Sequence, residues 1–538
     1  MKFILKRATK LTIIVTLLFI LVGCSNSPTK DIPVTGISLD QTMVSLNIGE
    51  SVKLKATILP QNATNQNLIW TSSNEEIFSV SNDGLVTALN YGTAVISVST
   101  VNGGNSTTSN VFIAENVFTI ENVEQWYAAT DEIKNNGNNK DFFLNIIDDF
   151  ALPGLSENEF TFGETTNIKV MIYGKQTISL SSFGNLLKIG SQQDVIIVDL
   201  TLEGKDFDEY IPLIYIKGHE AVFSVQGQAI VRNHGSLVAL IEDFGCLKLK
   251  DNAKFMNNGA GVNVVENSEF YLMDNAKLIS NGELGVYVLQ NSLFYMSGGE
   301  ISGHVFTTLR KGCSGVWVRG GTFIMSGGII TENITESYGG TVFIDNGVFT
   351  MLDGIISDNV GDGSVFISTD GIFNMSGGLI SRDLQAGVFI ELDGIFNLFG
   401  GTISENKVGA VVIRSGNFNM SGGSLTKNEG SAVFIGSGIF NMTGGSIHGN
   451  KATRGAGVHL FGEIASNKGG SFIMSGGTIY GSEESGVPAD KANSAVEIGA
   501  ALYFHPIELN MAIYSDGNDI LPHIDGYVNH TDHTIIGR

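Results

Sequence analysis

The side chains best suited to chemistry in this sequence are three carboxylates and one arginine, which recur in neighbouring units of a repeat. They are Asp370, Glu391, Asp393 and Arg414. Clustered carboxylates beside a cation can bind Ca²⁺, or can supply a general acid and base for cleaving a glycosidic bond. Each aspartate is followed by Gly, however, which is an ordinary turn dipeptide, and Glu391 can pair with Arg414. The turn interpretation is preferred, so the sequence predicts no catalytic residue and leaves Ca²⁺ as the one cofactor to consider.

Other potential ligands and nucleophiles do not form a recognisable motif. Three histidines and two aspartates near the C-terminus match no zinc spacing and are interpreted as residues of a terminal cap: His523, Asp525, His530, Asp532 and His533. Cys246 and Cys313 lie at different positions of the repeat, several units apart, so we expect free thiols. The sequence therefore predicts neither a metal site nor a disulfide.

A repeat of 22–24 residues must position these side chains. Met-Ser-Gly-Gly recurs from Met296 to Met474, and a Phe precedes the Met position by two residues in ten of eleven units. Phe-x-Met places both side chains on one face of a strand, and the Gly pair ends that strand. A second short strand follows, then an Asn that we expect to be a left-handed turn residue, then a third Val-aromatic-Ile strand. Three strands and three turns per coil predict a right-handed parallel β-helix.

The Phe-x-Met-Ser-Gly-Gly units resemble the β-helix repeats of bacterial surface proteins and of the pectate-lyase-like superfamily. A leucine-rich repeat is excluded because no Leu-x-x-Leu-x-Leu frame occurs. The resemblance implies the fold but not an activity. Enzymes of that superfamily interrupt their coils with long loops that form a cleft, whereas residues 351–442 carry almost no insertions. A non-catalytic binding scaffold is preferred, with a polysaccharide lyase or glycoside hydrolase as the alternative.

Outward-facing positions of the repeat give two further predictions. On the first strand, Asn374, Asn397, Asn419 and Asn441 should stack on successive coils as an amide ladder. On the third strand, the central residue should face solvent and form an aromatic stripe that binds glycan rings or another protein. The stripe consists of Tyr287, Trp317, Phe343, Phe366, Phe389 and Phe434. The alternatives are that a long loop covers the stripe or that the rings only stabilise the sheet.

A separate β domain precedes the repeat. Residues 34–114 contain about seven short β-branched runs, which is typical of a sandwich. The segments Ile48-Gly49-Glu50 and Asp83-Gly84-Leu85-Val86-Thr87-Ala88 resemble the bacterial Ig-like group 2 domain, and the likeness covers nearly the whole stretch. That resemblance implies a spacer or adhesive module without catalytic residues. Trp70 is predicted to lie in its core.

The N-terminus indicates the compartment. Four basic residues precede the apolar run from Leu11 to Val22, and Leu21-Val22-Gly23-Cys24 resembles a bacterial lipobox. Residues 1–23 are thus expected to be a lipoprotein signal peptide and Cys24 to be lipidated. Residues 24–33 are expected to form a tether. The expected location is the cell envelope, on the surface of the outer membrane, with the lipid inserted in the membrane.

Composition completes the predicted organisation. A net charge of -23 excludes nucleic acid as a partner, and leaves a glycan or a host or matrix protein. A helical pattern near Trp126 predicts an N-terminal capping region at 115–140. The β-helix is predicted at 141–486 and a C-terminal cap at 487–538. The predicted fold class is all-β, an Ig-like sandwich followed by the β-helix.

Overall fold

The computed structural model describes most of the chain. The described ranges are 31–46, 48–90, 92–101, 104–113, 116–207, 210–307, 311–461, 470–481, 488–498, 502–504, 513–514 and 524–525. The predicted signal peptide, Cys24, most of the tether, the three C-terminal histidines and much of the predicted C-terminal cap lie outside them. The chain divides into two compact units, Met1–Glu115 and Asn116–Arg538. Within the described ranges, no helix is both long and apolar enough to cross a membrane.

The first unit is a small β-sandwich. Its strands are Gly36–Leu39, Met43–Ser45, Ser51–Lys53, Ala56–Leu59, Leu68–Ser72, Phe78–Val80, Leu85–Ala88, Gly92–Thr100 and Ser106–Ile113. They form a four-stranded sheet, a three-stranded sheet and a two-stranded sheet. Trp70 is buried with Phe78, Val86 and Ile96, as the sequence predicted. Alternating inward residues from both larger sheets therefore make the core.

The second unit is a parallel β-helix that begins beside one α-helix. The helix, Val123–Asn136, starts where the Asn122 side chain accepts a hydrogen bond from the backbone N–H of Gln125. Its buried face places Trp126 and Ile133 in the same core as the first coils. This helix therefore lies at the start of the solenoid, within the region predicted to hold the cap.

The first and second strands of the coils join into one 27-stranded sheet, and almost all its pairings are parallel and between successive coils. The first strands are Val117–Ile120, Asp141–Ile146, Ile168–Gly174, Gln193–Val198, Val222–Gln226, Cys246–Leu249, Glu269–Leu272, Leu293–Met296, Ile372–Met375, Ile395–Leu398, Asn417–Met420 and Ile513–Tyr514. The second strands are Phe150–Leu152, Thr177–Leu180, Thr201–Glu203, Ile230–Arg232, Lys254–Met256, Lys277–Ile279, Glu300–Ser302, Leu379–Ser381, Thr402–Ser404, Ser424–Thr426 and Ile524–Asp525. Four longer strands span both positions: Thr322–Thr331, Val348–Ser357, Ile439–His448 and Ser471–Tyr480.

The third strands form a separate 13-stranded sheet. They are Leu187–Ile189, Ile214–Lys217, Leu237–Glu242, Ala260–Val264, Val286–Val288, Gly312–Arg319, Gly339–Asp345, Gly363–Ser368, Ala386–Ile390, Gly409–Ile413, Val433–Ile435, Val458–Leu460 and Leu502–Phe504. Two small pairs complete the described strands, Val305–Phe306 with Ile334–Thr335 and Lys451–Arg454 with Ser494–Ile498. The predicted all-β class and parallel β-helix are confirmed.

A continuous stack of phenylalanines fills the core, as the Phe-x-Met pattern predicted. From Phe270 to Phe472, the ring centroids of successive coils lie 4.4–5.0 Å apart with nearly parallel planes.

The Gly pair that follows the Met position is required by packing as well as by the turn. At Gly378, whose φ is +85°, an added Cβ would lie 2.5 Å from Met351 Cε and 2.8 Å from the carbonyl oxygen of Gly354. Larger residues are therefore excluded by the preceding coil as well as by the turn.

The prediction that the recurrent Asn is a left-handed turn residue is wrong. The residue before each Asn takes the positive φ, as Asp358 (59°) does before Asn359. Asn359 is buried, and its Nδ2 donates to the carbonyls of Ser357 and Ile330, at 2.9 and 3.1 Å. The next coil then supplies an acceptor to the backbone N–H of Asn359. Equivalent positions form what we call the inner ladder: His234, Asn258, Asn281, His304, Asn333, Asn359, Asp383, Asn406, Asn428, Asn450 and Asn493.

The outward amide ladder is confirmed. Asn397, Asn419 and Asn441 each donate a side-chain hydrogen bond of 2.9 Å to the Asn one coil earlier. A charge pair also links neighbouring turns, because Arg382 contacts both carboxylate oxygens of Asp358 at 3.0 and 2.7 Å. Half-buried amide contacts and exposed ion pairs each stabilise a step by less than about 1 kcal/mol, so their main effect is to hold the register of the coils.

Candidate functional site

The predicted aromatic stripe lies in register on the outer face of the third-strand sheet, but it is only partly accessible. Tyr287, Trp317, Phe343, Phe366 and Phe389 pair directly on successive strands. The expectation that they face solvent is wrong at Phe343, which is 1% exposed, and at Phe366, which is 0% exposed. The remaining four stripe residues, including Phe434, are half-buried. The stripe is therefore covered in its middle.

Lys311 and Tyr338 cover it. Lys311 Nζ lies 5.0 Å from the ring centroid of Phe343 and 5.3 Å from that of Phe366. The Tyr338 ring packs edge-on against Phe366, with 5.2 Å between centroids. Both residues belong to segments that enter the third strand of lengthened coils, so they can extend over the neighbouring rings. The loop-cover alternative therefore applies to the middle of the stripe.

Glu391 holds these two residues in place. Its Oε1 accepts from Lys311 Nζ at 2.8 Å, and its Oε2 accepts a short hydrogen bond from Tyr338 Oη. Lys311 also donates to Ser368 Oγ at 2.7 Å. Arg414, the predicted partner of Glu391, donates from Nη1 to Tyr338 Oη at 3.1 Å. The five side chains form what we call the clamp: Lys311, Tyr338, Ser368, Glu391 and Arg414.

The three carboxylates of the predicted acidic cluster lie in two different environments. Glu391 is buried at 7% exposure and belongs to the clamp, whereas Asp370 and Asp393 are exposed turn residues with φ of 59° and 63°. Across the described ranges, no group of three or more His, Cys, Asp or Glu side chains could hold a metal ion. The structure thus brings Glu391 to a cation and a tyrosine instead of to the two aspartates.

The clamp is better arranged for support than for proton transfer. Burial is the main cause that raises the pKa of Tyr338 to about 12, and the hydrogen bond to Glu391 adds to it. The hydroxyl therefore stays protonated at neutral pH. Both oxygens of Glu391 already accept hydrogen bonds. Burial also raises the pKa of the nearby Cys313 thiol, which removes it as a nucleophile. The clamp therefore offers hydrogen-bonding groups and aromatic surface, not a poised acid and base.

Sequence reasoning missed Lys311 and Tyr338 as members of a site because neither belongs to the repeated pattern. The signal that marked them was the lengthened spacing of 29 and 26 residues between the Met positions at 296, 325 and 351. An insertion must leave the coil and return to it, so its residues lie on the outer surface. Which rings they would contact depends on tertiary packing that the repeat does not encode.

Family comparison assigns the first unit and gives relatives for parts of the chain. Residues 33–111 match the model of the bacterial Ig-like domain (group 2). The chain is thus built from a bacterial Ig-like domain of group 2 and a parallel β-helix. Among its relatives, an uncharacterized protein of Clostridium acetobutylicum is 28% identical over 162 residues, covering 26% of this chain and 41% of the relative.

Two further relatives are named as carbohydrate-active enzymes. The kappa-carrageenase of Pseudoalteromonas carrageenovora is 39% identical over 77 residues, 14% of this chain and 19% of that enzyme. The alpha-L-arabinofuranosidase of Bifidobacterium longum subsp. longum is 36% identical over 73 residues, 14% of this chain and 7% of that enzyme. The chain spans less than half the length of each of the three relatives.

The clamp gives a first prediction. Lys311→Met leaves the buried Glu391 carboxylate without its cation, which should weaken the packing of the clamp over the stripe. We expect a loss of only about 1–3 kcal/mol, because the Lys311–Glu391 pair is partly exposed. Cys313, fully buried in the same cluster, should then react with a disulfide reagent about tenfold faster or more. The rate is measured in a Cys24→Ser, Cys246→Ser background. Lys407→Met, which breaks the exposed pair with Glu429, is the control and should leave the rate unchanged. An unchanged rate in Lys311→Met would contradict the clamp.

Proposed function

We propose that the protein is a non-catalytic binding scaffold of the cell envelope, anchored through a lipid on Cys24, that binds glycans or matrix proteins through its third-strand face. The observation that supports binding most directly is the aromatic row on that face, with the clamp at its centre. Aromatic surface combined with a few fixed polar groups is typical of binding sites. The sequence similarity to a lipobox at Cys24 supports the anchor.

Non-catalytic binding is favoured over catalysis by the state of the described carboxylates. Glu391 is engaged at both oxygens, and the two aspartates of the predicted acidic cluster, Asp370 and Asp393, lie in exposed turns. The matched stretches of the two named enzymes, 77 and 73 residues, are no longer than the Ig-like domain at 33–111. Their names support carbohydrate as the ligand class, and they keep a polysaccharide-cleaving enzyme as the second candidate function.

The test is a glycan and matrix-protein array probed with the purified full chain. We expect binding to at least one glycan or matrix protein, without release of reducing or unsaturated sugars from any bound polysaccharide. A Cys24→Ser variant should leave the membrane fraction yet bind the same probes, because anchoring and binding use different residues. Sugar release would replace the scaffold proposal with the enzyme, and a full chain that binds no probe would refute the proposed function.

A further inference from the structure

The aromatic stripe, called the aromatic row where Val412 is counted with it, has one gap next to the clamp. Phe366, Phe389, Val412 and Phe434 occupy the same outward position on four successive third strands. Phe389 stacks on Phe366 with 4.8 Å between centroids and 13° between planes. The other face of the Phe389 ring is therefore turned along the β-helix axis toward Val412. Because Val is much shorter than Phe, the row is interrupted at this coil.

The gap has the width of one missing ring. Phe389 and Phe434 lie two coils apart, which corresponds to about 9.6 Å along the axis. Val412 forms the floor between them, and all three side chains are half-buried. In the covered part of the row, by contrast, every step is filled by an aromatic ring. One flat ring of a ligand can thus enter where the chain itself supplies none.

Polar groups stand at the rim of this gap. Glu391 and Arg414 come directly after the ends of the strands that carry Phe389 and Val412, and both contact Tyr338 on the outer side of the sheet. The hydroxyl of Tyr338 lies between them, bonded to Glu391 and 3.1 Å from Arg414 Nη1. The rim therefore places fixed polar groups beside an apolar floor and an aromatic wall.

We infer that this gap, which we call the ring slot, is a subsite for one sugar ring of an uncharged polysaccharide. A pyranose has an apolar C–H face, which suits Phe389, and hydroxyls that both donate and accept, which suit the mixed rim. Lys311 is already paired with Glu391, and a chain of net charge -23 repels anionic polymers. The inference rests on the proposed function and names the ligand class of the same face.

Val412→Phe tests the ring slot because it fills the gap from within. The variant continues the existing ring row, so its thermal midpoint should stay the same or rise. Its affinity for neutral arabinan, galactan or xylan should fall at least tenfold, measured by titration calorimetry with the full chain. Leu240→Phe, at the same outward position seven coils earlier, is the matched control and should bind like the parent. Polygalacturonate serves as the anionic probe and should bind weakly or not at all.

The outcomes of these measurements distinguish a failure of the ring-slot inference from a failure of the proposed function. If neutral polysaccharides bind the parent and Val412→Phe equally, the slot is refuted while the scaffold stands. If Val412→Phe instead blocks a matrix protein, or if polygalacturonate binds better than the neutral polymers, the assigned ligand class is wrong. If the parent binds no glycan and no matrix protein, the proposed function itself has failed.

Discussion

Asp383→Asn is expected to stabilise the β-helix by about 4 kcal/mol at pH 8 and by little at pH 4. Asp383 occupies the one carboxyl position among amides and histidines of the inner ladder. Its Oδ1 accepts from the backbone N–H of Asn359 at 2.9 Å, as an Asn would, but its Oδ2 has no hydrogen-bond partner among the described residues. The ladder fits an amide better than a carboxylate at this point.

The hydrogen bonds of the neighbouring rung, Asn359, show why an amide fits this position better than a carboxylate. Nδ2 of Asn359 donates to the carbonyls of Ser357 and Ile330. By the same register, we expect the carbonyls of Ser381 and Ile356 to lie beside the Asp383 side chain. An ionised carboxylate would place its charge among carbonyl oxygens, whereas a protonated one can donate to them. An Asn at this position restores the missing donor at every pH.

The direction of the pH dependence follows from the raised pKa. Burial raises the pKa of Asp383 from 3.8 to about 7, although hydrogen bonding by the Ser364 side chain and by the Asn359 backbone opposes the shift. The contribution of the protonated form is complete below about pH 4, and it is lost as the pH rises through about 7. The parent chain should therefore lose stability between pH 4 and pH 8, and Asp383→Asn should not lose this part.

Thermal midpoints and native-state hydrogen exchange of the surrounding coils, at pH 4 and pH 8, measure the effect. Asp358→Asn is the control one coil earlier. The ion pair with Arg382 lowers the pKa of that exposed carboxyl, so its removal should destabilise by less than about 1 kcal/mol. If the stability of the parent and of Asp383→Asn changed with pH in the same way, Asp383 would not be a buried, protonated rung.

The second large effect is expected for Phe373→Ala in the core stack. The Phe373 ring lies 4.7 Å from Phe349 and 4.8 Å from Phe396, and it is completely buried. Truncation removes its apolar burial and two ring contacts and leaves a cavity, which should destabilise by about 3–5 kcal/mol. Because each coil contacts only its neighbours, the loss should be concentrated in the coils beside it.

Hydrogen exchange measured coil by coil tests both parts of this prediction. Amides in residues 349–398 should exchange much faster in Phe373→Ala, while amides before residue 300 should change little. Asn374→Ala, the adjacent outward position, loses a half-buried ladder contact and should destabilise by less than about 1 kcal/mol. A uniform loss of protection along the whole β-helix would instead indicate one cooperative unit.

The sequence predicted those parts of the molecule that repeat. Phe-x-Met specified an inward face because the spacing of two residues is a direct property of a strand, and the register of Asn397 and Asn419 followed from it. The inner ladder was misassigned because Asn is common both in left-handed turns and in buried ladders. The residue before each recurrent Asn takes the positive φ, but its type varies, as at Asp358, Lys427 and Gly449, so it carries no common signature.

The solvent exposure of the aromatic stripe could not be predicted from the repeat. Val-aromatic-Ile predicts correctly that the central residue leaves the core, but whether it then meets water depends on other segments. Phe366 is buried by Lys311 and Tyr338, which lie 55 and 28 residues earlier in the chain. No pattern connects such distant positions. The clamp, and with it the boundary between the covered and open parts of the stripe, therefore required the structure.

The inner ladder also has a consequence for how the gene changes over time. Most rungs offer a side-chain oxygen to the backbone N–H of the rung before, so a duplicated or deleted segment of one complete coil still finds matching partners at both joints. The 23 residues from Leu247 to Glu269 form such a segment, and gaining a copy would lengthen the solenoid by about 4.8 Å. Insertions of other lengths inside a strand would break the ladder. The β-helix can therefore change length in single-coil steps by recombination while the clamp and the ring slot remain as they are.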